Sequence, residues 1–256
     1  MVAFLFASFA FAQSSWTPAD VTVQIDDGVS VNWTRGVLIA EVLPEKTLIG
    51  TKQAVNYKSM EQEARMRVGE LIKRGWDMVP LTSEMSLKSL NRDSAVQLPT
   101  KGMRNNWRVV ETNYRPNGDV SLVAEWKLSD TLLAWTNRDG SVTNPQLLRT
   151  ESPVTGLLID ARDCGFTPVY APSIVSHSGE VLFDGLIYTD EALRRMPVTY
   201  VSTPIHPATQ NAGTAPEIIV PRECSDGIVV LSKTEDIGYE TLHRVLSGAL
   251  VIVVDE

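Results

Sequence analysis

The sequence predicts an α+β fold of two small units, each an antiparallel or mixed sheet covered by one amphipathic helix. Three observations support this. Short alternating apolar runs bounded by Asp, Asn and Gly recur in both halves of the chain. Two stretches, 59–74 and 232–246, switch from strand to helical periodicity. A turn-rich segment, "TNRDGSVTNPQ" at 136–146, separates the two halves.

The elements follow in order. Residues 1–12, "MVAFLFASFAFA", are apolar and end in Ala-Phe-Ala before Gln13, the form of a small-residue signal-peptidase site, although no Lys or Arg precedes the apolar core. The expectation is a signal peptide over 1–12 and an N-terminal domain over 13–145. "VTVQI", "VSVNW" and "VLIAEVLP", separated by "DDG" and "TRG", predict an antiparallel meander over 21–43.

"SMEQEARMRVGELIKR" (59–74) predicts a helix. Ser59 and Gln62 form a capping box, Met60, Ala64, Val68, Leu71 and Ile72 share one face, and Gly75 ends it. Residues 76–105 have no clean period and read as a loop with a short helical turn. "NWRVVETNY" and "VSLVAEWKL", joined by "RPNGD", predict a hairpin, because Asn117-Gly118 supplies the positive φ of a tight turn.

The C-terminal domain, 146–256, opens with strands "VTGLLIDA", "PVYAPSIV" and "EVLFDGLIY", the last two joined by "SHSG". "TDEALRRM" reads as a short helix capped by Thr189 or Asp190, and "STPIHPATQNAGTAP" as an exposed loop. Strands "EIIVP" and "GIVVL", a helix capped by Ser232 with Glu235, and the strand "ALVIVV" complete it. The last run is far short of the roughly 20 residues a membrane-spanning helix needs.

Charge and motifs narrow the function. A net charge of −8 leaves no broad basic face, which argues against nucleic acid as a partner. Phosphate loops, dinucleotide fingerprints, nucleophile elbows, HExxH and CxxC are all missing from the sequence, and His177, His206 and His243 have no metal-ligand spacing. No cofactor or metal is expected.

Reactive types do cluster in "TGLLIDARDCGFTPVYAPSIVSHSGEVLFDG" (155–185). Asp160, Asp163 and His177 could be read as a hydrolase site, with Cys164 as a nucleophile. The alternative is scaffold: Arg162 and a carboxylate fixing the turn into "GFTP", and His177 in a hairpin turn. Cys164 and Cys224 are candidates for a disulfide in an exported chain, closing a loop of about sixty residues for which chain entropy gives roughly 4 kcal/mol. Two buried free thiols are the other reading. Trp33, Trp107, Trp126 and Trp135 fall on strands or their ends and read as sheet packing. Asn32-Trp33-Thr34 reads as a chance glycosylation acceptor.

Three segments carry a resemblance to exported bacterial envelope proteins related to the flagellar assembly protein T and to the lipoproteins of the flagellar outer-membrane disk. "VNWTRGVLIAEV" with the helix "EQEARMRVGELIKR" resembles the family's opening. The 155–185 segment is similar to its TGLxxDAR strand followed by two more strands, and "GIVVLSKTEDIGYETLHRVLSGALVIVVD" resembles its terminus. The acylated N-terminal Cys of the lipoproteins is missing here, so membrane anchoring does not carry over.

The resemblance implies structural roles for Thr155, Gly156, Asp160, Ala161, Arg162, Gly179 and Gly185, and no catalytic residues. It implies a non-enzymatic periplasmic or secreted structural or assembly protein. Such a protein would be associated with a flagellar or other envelope machine, with itself as a ring- or disk-like homo-oligomer and with other envelope or motor proteins as partners. The alternative is a periplasmic binding module for a small ligand or cell-wall polymer.

Overall fold

In the computed structural model, the described residues are 18–43, 57–90, 105–115, 119–130, 153–185, 192, 196–233 and 237–255. The signal-peptide segment, the Asn117-Gly118 turn, Trp135, the 136–146 boundary and most of "TDEALRRM" lie outside them. The fold class is α+β.

The N-terminal half follows its pattern. Strands β1 (Thr22–Asp26), β2 (Val29–Asn32) and β3 (Val37–Val42) form the expected antiparallel meander. Gly28 and Gly36 take positive φ at its two turns. Helix α1 (Tyr57–Met78) and a short α2 (Leu87–Leu90) precede the hairpin of β4 (Arg108–Tyr114) and β5 (Val120–Lys127). The sheet order is β1-β2-β3-β5-β4, and α1 lies across β2, β3 and β5.

Helix α1 is longer than expected at both ends. Tyr57 donates its hydroxyl to the Arg115 carbonyl and meets Tyr114 edge-on at 5.7 Å, contacts that tie down a turn ahead of Ser59. Ser59 is therefore inside the helix and does not cap it. Gly75 does not end it either: a Cβ there would sit 2.4 Å from Val29 Cγ1 and 3.4 Å from Leu38 Cδ1. The residue is glycine because the helix backbone lies against the sheet. The next residue, Trp76, begins the last turn and packs edge-on against Trp126. The 76–105 region opens with this last turn and continues into a bridge between Pro80 and Ser86 and then α2.

The C-terminal half holds two sheets. β6 (Leu157–Asp160), β9 (Val198–Val201), β10 (Glu217–Ile219) and β13 (Leu250–Val253) form an all-parallel sheet in the order β10-β6-β13-β9. The antiparallel or mixed expectation fails for this sheet. β7 (Ser173–Val175), β8 (Val181–Asp184), β11 (Glu223–Ser225) and β12 (Ile228–Val230) form a mixed sheet in the order β11-β12-β7-β8. Only Ser173–Val175 of "PVYAPSIV" is strand. Helix α3 (Tyr239–Leu246) begins at Gly238, with no side-chain cap. Leu231 still donates to the Val175 carbonyl, and the expected cap of Ser232 with Glu235 lies outside the described residues, since 234–236 are not among them.

One buried apolar cluster runs through both halves, from Val31, Leu38 and Ile72 to Ile159, Ile174 and Ile252. Tyr200 on β9 sits at the joint. Its hydroxyl donates to the Val169 carbonyl at 2.6 Å, Trp33 meets its ring edge-on at 5.7 Å, Phe166 stacks on it at 6.0 Å, and Thr34 Oγ1 donates to its carbonyl at 2.7 Å. Tyr170 is equally buried, yet its hydroxyl has no hydrogen-bond partner among the described residues. Burial pushes both phenols well above the ordinary tyrosine value.

Two pairs of substitutions check this packing by urea unfolding. Gly75→Ala is expected to destabilise by ~1–3 kcal/mol through overpacking, despite alanine's better helix propensity. Gly69→Ala in the same helix, where a Cβ meets nothing closer than Trp107 at 3.6 Å, is expected to stabilise by ~0.5–1 kcal/mol. Tyr200→Phe is expected to cost ~1–3 kcal/mol because it strands the Val169 carbonyl, whereas Tyr170→Phe is expected to be neutral or stabilising because it removes an unpaired buried hydroxyl.

Candidate functional site

The 155–185 segment is the place to look for chemistry, and each of its marked residues has a local structural task. Thr155 Oγ1 donates to the Ala212 carbonyl at 2.9 Å and accepts from Ala215 N at 3.0 Å. Gly156 starts β6 where a Cβ would stand 2.5 Å from the Ala212 carbonyl oxygen and 2.6 Å from that of Ala249. Ala161 is fully buried and donates its N–H to Val253 at 2.9 Å, closing the β6 end of the parallel sheet. Gly179 takes φ 87° in the β7–β8 turn, where its N–H donates to Ser176. A Cβ on Gly185 would stand 2.2 Å from the Pro172 carbonyl oxygen.

Asp160 and Arg162 form a bidentate pair just past β6, with Nε–Oδ1 2.7 Å and Nη2–Oδ2 2.5 Å. Hydrogen bonding from Arg162 holds the Asp160 carboxyl below the ordinary aspartate range, against the smaller opposing effect of partial burial. The pair fixes the turn, in which Asp163 takes φ 64° and donates its N–H to Asp255 Oδ2 at 3.0 Å.

The hydrolase constellation is not assembled. His177 is exposed at the tip of the β7–β8 hairpin in the mixed sheet, while Asp160 and Asp163 sit at the end of β6 in the parallel one. Among the described residues, no hydrogen bond or ion pair joins His177 to either carboxylate. Cys164 is bonded to Cys224 on β11, with Cα atoms 5.2 Å apart, so its sulfur is not available as a nucleophile. The bond ties the turn after β6 to the edge of the mixed sheet.

Other polar groups form the joint between the halves, where sequence reading gave no signal. Asn32 Nδ2 donates to Asp20 Oδ2, Asn32 Oδ1 accepts from Arg35 N, and His206 Nε2 lies 3.4 Å from Asp20 Oδ1. His206 Nδ1 accepts from Ala208 N, which caps a 3-10 turn at Pro207–Ala212. Asn32, the last residue of β2, is therefore buried with its amide spent on Asp20 and on the turn that follows, in keeping with a chance acceptor motif. The buried Glu125 carboxylate is paired with Arg35 at 2.6 Å and Arg108 at 3.1 Å. Trp33, Trp76 and Trp126 are core residues. A groove of about 590 Å³ beside α1 and β1–β3 mixes the carboxylates of Asp27, Glu41 and Glu70 with the guanidinium groups of Arg67 and Arg74. Among the described residues, no group of three or more His, Cys, Asp or Glu is placed to hold a metal ion, and no helix is long and apolar enough to cross a membrane.

Residues 156–256 match the protein family described as Treponema pallidum Tp0624, second domain, and the match covers less than half of the chain. It takes in both C-terminal sheets and α3. No curated protein matches the chain.

The Asp160–Arg162 pair has a measurable pH signature. A carboxyl held below its unfolded value contributes stability that is present above about pH 4 and is lost as the pH falls through the lower, folded value. For this partly exposed pair, Asp160→Asn is expected to cost less than ~1 kcal/mol at neutral pH. Urea midpoints of the two proteins, apart at neutral pH, are expected to converge in acid.

Proposed function

We propose that the chain is an exported, non-enzymatic structural protein of two α+β units, 13–145 and 146–256, that works by self-association in the cell envelope as part of a flagellar or other envelope machine. The observation that carries this reading is the structural use of seven residues of the 155–185 segment. Thr155, Gly156, Asp160, Ala161, Arg162, Gly179 and Gly185 each serve a strand end, a turn or a close backbone approach. A bonded Cys164–Cys224 pair supports export, since such bonds persist in oxidising compartments.

A binding module is the second reading, favoured by the charged groove beside α1. With three of its tryptophans in the core, the chain would recognise a ligand there by charge.

Soft-agar motility of an in-frame deletion strain, normalised for growth and complemented from a plasmid, tests the leading reading. Swimming that is lost and restored by the plasmid copy is the expected result. Normal swimming, together with a thermal shift of the pure protein on adding cell-wall fragments, would move the assignment to the binding module.

A further inference from the structure

The open edges of the three sheets differ. The edge strands β1, β4 and β8 each pair with their neighbour through a register irregularity, which discourages further pairing even though β4 exposes Val110 and Tyr114 and β8 exposes Val181. β11 is held by the disulfide through Cys224. β9, at one edge of the parallel sheet, is buried along its whole length. β10, at the other edge, is different: Ile218 is 67% exposed and Val220, just past the strand, 61%.

The backbone of β10 is equally uneven. Glu217 donates to Gly156, so the backbone groups of Glu217 and Ile219 point towards β6. Those of Ile218 and Val220 therefore point away from it, to the free edge. Neither residue makes another hydrogen bond among the described residues. Pro216 and Pro221 lack an N–H and bound this stretch on both sides.

These features fit one occupant, the same edge of a second copy. An antiparallel pairing centred on Ile219 sets Ile218 opposite Val220 of the other copy and Val220 opposite its Ile218. Both outward donors and both outward acceptors of each copy are then used, in one isologous contact about a two-fold axis. The four exposed side chains fall on one face in a row, next to Leu158, and a slipped register is opposed on one side by Pro216, which has no N–H, and on the other by Arg222, whose N–H is taken by Val230.

We propose that β10 is the self-association edge of this protein and that it joins two four-stranded parallel sheets into one continuous sheet. The proposal rests on the reading of the chain as self-associating and names the surface used. So short an edge buries less than a standard interface, so the dimer forms at high local concentration.

Sedimentation equilibrium of the chain with its disulfide intact tests this. The wild type is expected to show a concentration-dependent dimer. Ile218→Lys with Val220→Lys is expected to lose it while keeping the wild-type circular dichroism and melting temperature, because both side chains are exposed. Ile218→Cys with Val220→Cys is expected to give a reducible dimer on oxidation. A dimer that persists in the double-lysine variant would overturn β10 as the edge while leaving self-association standing. A wild type that stays monomeric at every concentration would overturn both.

Discussion

The packing around Tyr200 is the constraint on which the rest of the structure depends. A parallel sheet needs cover on both faces, and among the described residues the C-terminal half does not supply all of it. Its outer face is closed by the 3-10 turn, where Ala212 packs with Leu158, Val201 and Val253. Its inner face and its β9 edge meet the N-terminal half, through Trp33 against the Tyr200 ring and Thr34 on the Tyr200 carbonyl. Met196, just ahead of β9, packs where a side chain at Gly36 would stand, and the Leu81 carbonyl accepts from Ala171 N. The antiparallel sheet is thus both a layer in its own right and the lid of its neighbour.

How much of this was legible in the sequence depended on the distance over which each contact acts. The meander of β1–β3 and the β4–β5 hairpin were readable because antiparallel neighbours are adjacent in the chain and announce themselves by alternation and turn residues. The existence of α1 was readable from its stripe, but its ends were not. Tyr57 is held by Tyr114 and Arg115, and Gly75 is fixed by Val29 and Leu38, all far away along the chain. Strand β9, "VTYV", was missed because it stands between a charged helix-like stretch and a proline-rich loop and is too short to show a period. The order β10-β6-β13-β9 has no local signature, since each pair is joined by a long crossover.

The candidate site was legible to a different degree. Thr155, Gly156, Asp160, Ala161, Arg162, Gly179 and Gly185, which stand out through the resemblance alone, lie at strand ends, turns or close backbone approaches. Asp163 and His177 show how residue types mislead: one residue is there for its backbone at positive φ, the other for a hairpin tip. The polar joint of Asp20, Asn32 and His206 was invisible because its members are brought together only by the two halves closing on each other.

The covalent link has a mechanical consequence. Cys164 and Cys224 are separated by 60 residues, and the ring they close contains β7 and β8 of one sheet and β9 and β10 of the other. Tension applied to the two ends of the oxidised chain bypasses all four strands and travels from β6 across the sulfurs to β11. Such a chain can be stretched by about 200 Å less than its reduced form.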